Sequence, residues 1–220
     1  MSFKDRIQAG RQLARALARY KQAKPVILAL PRGGVPVAAE VAEALDAPLD
    51  LVLVRKIGVP FQPELAMGAV VDGTAPLTVR NADVIAMGGV SEEEFARVRD
   101  KELQEIDRRR SRYVGGRAHP NLKGRTVIVV DDGIATGATT RAALQAVRAR
   151  EPAALILAVP VAPTDVLRRL SGEADEIICL EDHEDFGAIG YFYDDFGQVG
   201  DEEVIRLLAA HPAAEAGSAP

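Results

Sequence analysis

A chain of 220 residues that is 48% apolar can bury a substantial core, most simply as one domain with an added lobe, and 27 Lys and Arg against 32 Asp and Glu leave a formal charge of −5 that does not favour a polyanionic partner. The single Cys179 cannot form an internal disulfide, and the three histidines, His119, His183 and His211, share no metal-ligand spacing, so a disulfide scaffold and a Cys-rich zinc site are set aside and a reducing cytoplasm fits. MSFKDRIQAGRQLARAL at the start is charged throughout, without the apolar centre of a secretory signal, and the longest greasy run, AALILAVPVA, falls far short of a bilayer span. A cytoplasmic protein with no membrane partner and no nucleic acid as default ligand is expected.

In chain order, Phe3, Ile7, Leu13 and Leu17 approximate a helical stripe, and Pro25 then interrupts before VILAL, which reads as a buried strand. PRGGVPVAAEVAEAL supplies a glycine turn and a helix. LDLVLV reads as a second continuous strand ending at Arg55 and Lys56, and LAMGAVV as a third, their uniform hydrophobicity suggesting strands covered on both faces. Residues 91 to 113 open with Ser91 and Glu94 at capping-box spacing and carry Phe95, Val98, Leu103 and Ile106 on one side. They predict a long, largely exposed helix whose end, RRRSR, is solvated. TVIVV, a helix from about Gly137, ALILAVPV, a helix after Pro163 and EIICL then alternate regularly, which predicts right-handed crossovers and an α/β fold with a central, mainly parallel sheet flanked by helices. The Ala-rich end, residues 211 to 220, has the composition of a disordered tail.

The chemistry concentrates in VIVVDDGIATGATTRAALQAV, residues 127 to 147. A loop between a buried strand and a helix lies at the carboxyl edge of the sheet, where α/β proteins place ligands. Gly137 permits close backbone approach, Thr136, Thr139 and Thr140 offer hydroxyls, and the amides opening the following helix carry the positive end of its dipole, so the loop is shaped for an anion. It lacks the Gly-Lys-Ser/Thr of a Walker loop and the spacing of a dinucleotide fingerprint. Asp131 and Asp132 would repel a bare phosphate, whereas vicinal hydroxyls or a magnesium ion would satisfy acceptor-only carboxylates. A ribose phosphate offers both features.

VIVVDDGIATGATT closely resembles the phosphoribosyl pyrophosphate (PRPP) signature of type I phosphoribosyltransferases, LPRGGVPVA resembles the pyrophosphate loop of that family, and LVRKIG resembles the basic strand end before its flexible loop. The resemblance covers most of residues 25 to 160. It implies that Asp131 and Asp132 hold the ribose hydroxyls and, with Lys56, form the catalytic set. Ala135, Thr136, Gly137, Ala138, Thr139 and Thr140 would wrap the 5'-phosphate, and Arg32, Gly33, Gly34, Arg55 and Lys56 would receive the pyrophosphate. Mg2+ would be carried mainly by PRPP near Asp131 and Asp132, with no dedicated protein site. GVPFQPELAMG, after Lys56, is the expected mobile lid. The reaction implied is displacement of pyrophosphate at ribose C1 by a nitrogenous base or related nucleophile. A PRPP-sensing regulator that binds nucleic acid or protein on the same fold is the alternative.

The acceptor is read from EDHEDFGAIGYFYDDFGQV, whose aromatics could sandwich a flat base. AIGYFYDDF is similar to the C-terminal hood of hypoxanthine and guanine phosphoribosyltransferases, which implies acceptor contacts from Tyr191, Phe192 and Asp194. Phe186 stands one residue away from the stacking position of that group, and AVPVAPTD has no lysine to read a 6-oxo group, so the base stays unassigned. One domain over residues 1 to 210 is expected, with a core at about 25–180, an inserted lid and helix at about 57–118 and the hood at about 181–200, and a homodimer is admitted.

Overall fold

The computed structural model describes residues 2–73 and 75–212, so most of the expected disordered tail, from residue 213 onward, lies outside the described residues. Helix α1 (Arg6–Ala16) is capped by Asp5, whose carboxylate accepts from the Gln8 amide. Leu13 and Leu17 of the expected stripe are buried, whereas Phe3 lies ahead of the helix in a parallel bridge to Tyr193. Strand β1 (Val26–Ala29) leads into α2 (Gly34–Leu45) and β2 (Leu49–Leu51). Next come β3 (Val54–Val59), β4 (Gln62–Val71), β5 (Leu77–Arg80), α3 (Ala82–Met87) and the long α4 (Glu92–Val114). The chain then alternates β6 (Thr126–Val130), α5 (Ala138–Arg148), β7 (Ala154–Pro163), α6 (Thr164–Leu170) and β8 (Glu176–His183), and ends in α7 (Asp201–Ala210).

The central sheet is parallel throughout, in the order β2-β1-β6-β7-β8. From β1 the chain winds to one side and from β6 to the other, so the strand order reverses between them and opens a crevice at their carboxyl ends. Register makes those ends level: Ala29 lies opposite Val130, and the Leu30 amide donates to the Val130 carbonyl. The loops that follow the two strands therefore emerge side by side.

LDLVLV is not one strand. β2 stops at Leu51, and the chain crosses at Val52 and Leu53 into a separate antiparallel sheet ordered β3-β4-β5. The crossing is uniformly buried because it passes between layers, with the Leu53 amide donating to Asp72 Oδ1 and the Asp72 amide to the Leu53 carbonyl. The expected third strand is part of β4 in this second sheet. The expected lid segment is itself a hairpin: Gly58 and Val59 end β3, Pro60 and Phe61 turn, and β4 starts at Gln62. Gly58 is needed there, since a Cβ would stand 2.9 Å from Pro63 backbone atoms.

Helix α4 begins with the capping box its sequence predicts, the Ser91 hydroxyl accepting from the Glu94 amide and the Glu94 carboxylate from the Ser91 amide. Phe95 and Ile106 are buried, and Arg80 stacks 4.2 Å from the centre of the Phe95 ring. The basic end is not simply solvated. Arg110 is buried, donating to Asp50 Oδ2 at 2.9 Å and to Asp72 Oδ2 at 3.1 Å. It thereby bolts α4 to β2 of the central sheet and to the end of β4. No periodicity signal announces this, because the two acids come from segments 38 and 60 residues away in sequence. Among the described residues, no helix is long and apolar enough to cross a membrane.

Candidate active site

The level strand ends bring two sequence motifs into contact. A Cβ on Gly33 would stand 2.6 Å from Asp132 Cγ, and one on Gly34 would stand 2.8 Å from the Val130 carbonyl oxygen and 2.9 Å from Asp131 Cα. The Pro31–Gly34 loop can therefore lie against the acidic strand end only because those two positions lack side chains. The Gly34 amide closes the turn by donating to the Leu30 carbonyl, and the Pro31–Arg32 peptide is cis.

Beyond the acids, Gly137 adopts φ +79°, a left-handed conformation that suits glycine, and α5 starts immediately after it. Ala135, Thr136, Ala138 and Thr139 are exposed, while Thr140 is buried. The first amides of α5 thus face an open loop. Its outer side borders a cavity of about 680 Å³ whose rim carries Arg80, Arg141 and Arg169.

The two aspartates are not equivalent. Asp132 is buried and its Oδ2 accepts from Arg6 Nε at 2.7 Å, in a pair where both side chains are nearly enclosed. Of the two acids expected to hold the ribose hydroxyls, Asp132 is thus already engaged by Arg6 inside the protein. Asp131 Oδ1 accepts from the Asp132 amide at 2.9 Å, and among the described residues no ion pair holds Asp131. Its carboxyl is raised well above the ordinary aspartate range, first by burial and then by the neighbouring Asp132 charge.

The expected pyrophosphate cations are dispersed. Arg32 reaches Asp201 Oδ1 at 3.5 Å, at the start of α7, beside Tyr113 and Arg112, which hold the same carboxylate. Arg55 pairs with Glu102 at 2.7 Å and Lys56 with the exposed Glu64 at 3.1 Å. Arg55 and Lys56 line a separate cavity of about 400 Å³ with Val98, Lys101 and Glu102. Among the described residues no hydrogen bond or ion pair joins either cation to Asp131, Asp132 or the Gly33 loop. Only Arg32 of the three is adjacent to the acidic strand end by backbone.

In the hood, Tyr191 is 79% exposed and Asp194 is exposed, whereas Phe192 packs within 4.9 Å of Phe186 and 4.5 Å of His183, ring centre to ring centre. Ile189 sits over Gly133, where a Cβ would be 2.7 Å away, so the hood covers the loop after the acids. Two residues of the site were not picked out individually by the sequence. Arg6 belongs to no motif, and Tyr193, beside the chosen Tyr191, is the tyrosine that turns inward, donating its hydroxyl to the Asp132 carbonyl at 2.6 Å. Burial and the nearby acids raise the Tyr193 phenol above its ordinary range, so it stays a donor.

The sequence pattern of the phosphoribosyl transferase domain matches residues 3–195, a span that runs from the bridge at Phe3 to the hood. The chain belongs to that family. As a member of the phosphoribosyl transferase domain family it resembles a crystal structure from Thermus thermophilus with a TM-score of 0.83 and 41% identity, covering 97% of this chain and 100% of the other. Relatives from two strains of Mycobacterium tuberculosis, provisionally named as phosphoribosyl transferases, are 48% identical over 218 residues, 98% of this chain. This chain spans about half the length of those relatives, 49%. The match to the family covers both glycine loops, the acidic strand end and the hairpin sheet alike.

Proposed function

We propose that this member of the family is a phosphoribosyltransferase that uses the magnesium complex of PRPP and displaces pyrophosphate at ribose C1 with a nitrogenous base or related nucleophile. The observation that carries the reading is the contact of Gly33 and Gly34 with the acidic strand end, beside the Gly137 loop that opens α5. That arrangement supports a ligand with a phosphate at one end, a diphosphate at the other and a diol between them. The amides that open α5 and the hydroxyls of Thr136 and Thr139 suit the 5'-phosphate. The Gly33 loop and Arg32 suit the pyrophosphate, and Asp131 suits the hydroxyls. Asp131, a carboxylate beside Gly34 at the strand end, fits an ion brought by the diphosphate. Bound magnesium would neutralise charge on the leaving group.

No protein nucleophile is required. Bond breaking at C1 runs ahead of attack, and the chain's part is to hold the reactants in line and stabilise the departing diphosphate, each preorganised donor being worth on the order of 3 kcal/mol. Arg55 and Lys56, on the hairpin, would reach the diphosphate only by leaving Glu102 and Glu64. The exposed Tyr191 and Asp194 and the partly buried Phe192 would meet the acceptor at the rim of the hood.

The test is a screen of purines, pyrimidines and other nitrogen nucleophiles for pyrophosphate release with magnesium and PRPP, alongside calorimetric PRPP binding. Release that depends on one acceptor supports transfer. Tight PRPP binding with no release from any acceptor supports the PRPP-sensing alternative, which the internal pairing of all three expected cations favours. A protein that does not bind PRPP at all would sink both readings.

A further inference from the structure

We propose that Arg6 is the positioning residue of the acidic strand end: it fixes Asp132 against the Gly33 loop and ties it to the hood, leaving Asp131 as the carboxylate that meets the ribose hydroxyls. The inference rests on the PRPP reading above. Arg6 is the first residue of α1, yet its guanidinium does not spread over the surface. Nε donates to Asp132 Oδ2 at 2.7 Å, Nη1 donates to the Gly197 carbonyl at 2.7 Å, and Cζ lies 3.9 Å from the centre of the Phe196 ring. The Arg6 and Asp132 side chains are 12% and 10% exposed. An exposed pair of this type would contribute little, but a desolvated one cannot lose a partner cheaply, because the charge left behind stays buried.

The same region is stitched at the backbone. The Phe3 amide donates to the Phe192 carbonyl at 2.7 Å, the Asp194 amide to the Phe3 carbonyl at 2.8 Å and the Asp195 amide to the Lys4 carbonyl at 2.9 Å. The Tyr193 hydroxyl on the Asp132 carbonyl adds a further tie. A continuous path therefore runs from hood to Arg6, to Asp132, to the close contact at Gly33. Asp132 has its carboxylate packed on Gly33 and committed to Arg6, so a diol that approached it would have to displace a planar cation held at three points. Asp131 has no such commitment. Arg6 consequently acts on ligand binding through Asp132 and the loop, without touching the ligand.

The experiment measures magnesium-PRPP affinity by calorimetry and amide hydrogen exchange of Gly34, Asp194 and Asp195 in wild type, Arg6→Gln, Arg6→Lys, Asp131→Asn, Asp132→Asn and the Arg6→Gln/Asp132→Asn double variant. Arg6→Gln is expected to weaken PRPP by ~10-fold or more, about 1.4 kcal/mol, and to speed exchange at all three amides. Asp131→Asn is expected to lose affinity with exchange unchanged. Arg6→Gln and Asp132→Asn remove one contact, so their losses should not add in the double variant. Arg6→Lys restores the charge but not the planar fork, so its affinity should stay within ~3-fold of wild type while the Asp194 and Asp195 amides exchange faster. Arg6→Gln with PRPP affinity within twofold of wild type, or additive losses, overturns the proposal. If Arg6→Gln does not fold, Arg6→Lys decides, and wild-type exchange at its hood amides overturns it. A wild type that binds no PRPP defeats the reading above, and the positioning role then stands or falls on whether Gly34 exchange rises in Arg6→Gln.

Discussion

Replacing Arg110 by Met tests the bolt between α4 and the two sheets. Met keeps an unbranched apolar stem but ends short of the guanidinium, removing the charge and the donors. Asp50 and Asp72, both buried, then lose the cation that lies 2.9 and 3.1 Å away. Arg117, 3.4 Å from Asp50 Oδ1, remains, but among the described residues it makes no ion pair with Asp72. Stranding a buried carboxylate costs about 3–5 kcal/mol at neutral pH, which for a chain of this size lowers the melting temperature by roughly 6–20 °C. The pH dependence supplies the sharper test. Asp72 is pushed up to about 6, chiefly by burial, while the Leu53 amide and Arg110 pull it down. Its folded value lies above the unfolded one near 3.8, so this group adds stability as pH falls from about 6 towards 4 and withdraws it as pH rises through about 6. Loss of Arg110 raises it further, so the variant should regain more on acidification than the wild type, and the gap between them should narrow from pH 8 to pH 5. His119, 4.0 Å from Asp72, is held down to about 4 by burial and by Arg110, and stays neutral over that range in the wild type. Arg150, whose ordinary value burial lowers, faces the same carboxylates. Urea unfolding followed by circular dichroism at the two pH values gives the comparison. A loss under about 1 kcal/mol at pH 8, or a gap that does not narrow, refutes the reasoning.

Gly33→Ala should weaken PRPP binding and cost about 1–3 kcal/mol of stability, because its Cβ must push Asp132 off the position that Arg6 holds; calorimetry and melting that match wild type would contradict the close packing there. Lys56→Ala removes only an exposed pair with Glu64, so the melting temperature should stay within about 2 °C while turnover with a confirmed acceptor falls, and an unaltered rate would remove Lys56 from the mechanism. Tyr191→Leu should impair acceptor binding and spare both PRPP affinity and stability, since the ring is exposed, and equal losses for the two ligands would argue against an acceptor site in the hood.

The strands β1, β6, β7 and β8 with the helices between the last three, the small-residue loop before α5 and the glycine turn after β1 were legible in the chain because each is a local matter. Continuous apolar runs mark strands covered on both faces, and small residues followed by a helix mark a loop open to a ligand. The family resemblance reached the same segments. Tertiary structure decided what lies far apart in sequence. It split LDLVLV between two sheets at Leu53, shaped the expected lid segment as a hairpin, drew Arg110 out of a basic helix end to meet Asp50 and Asp72, and gave Asp132 to Arg6 across 126 positions while leaving Asp131 without an ion pair among the described residues. A buried carboxylate selects a cation by distance in space, and sequence spacing carries no record of that distance once the partners lie on different elements.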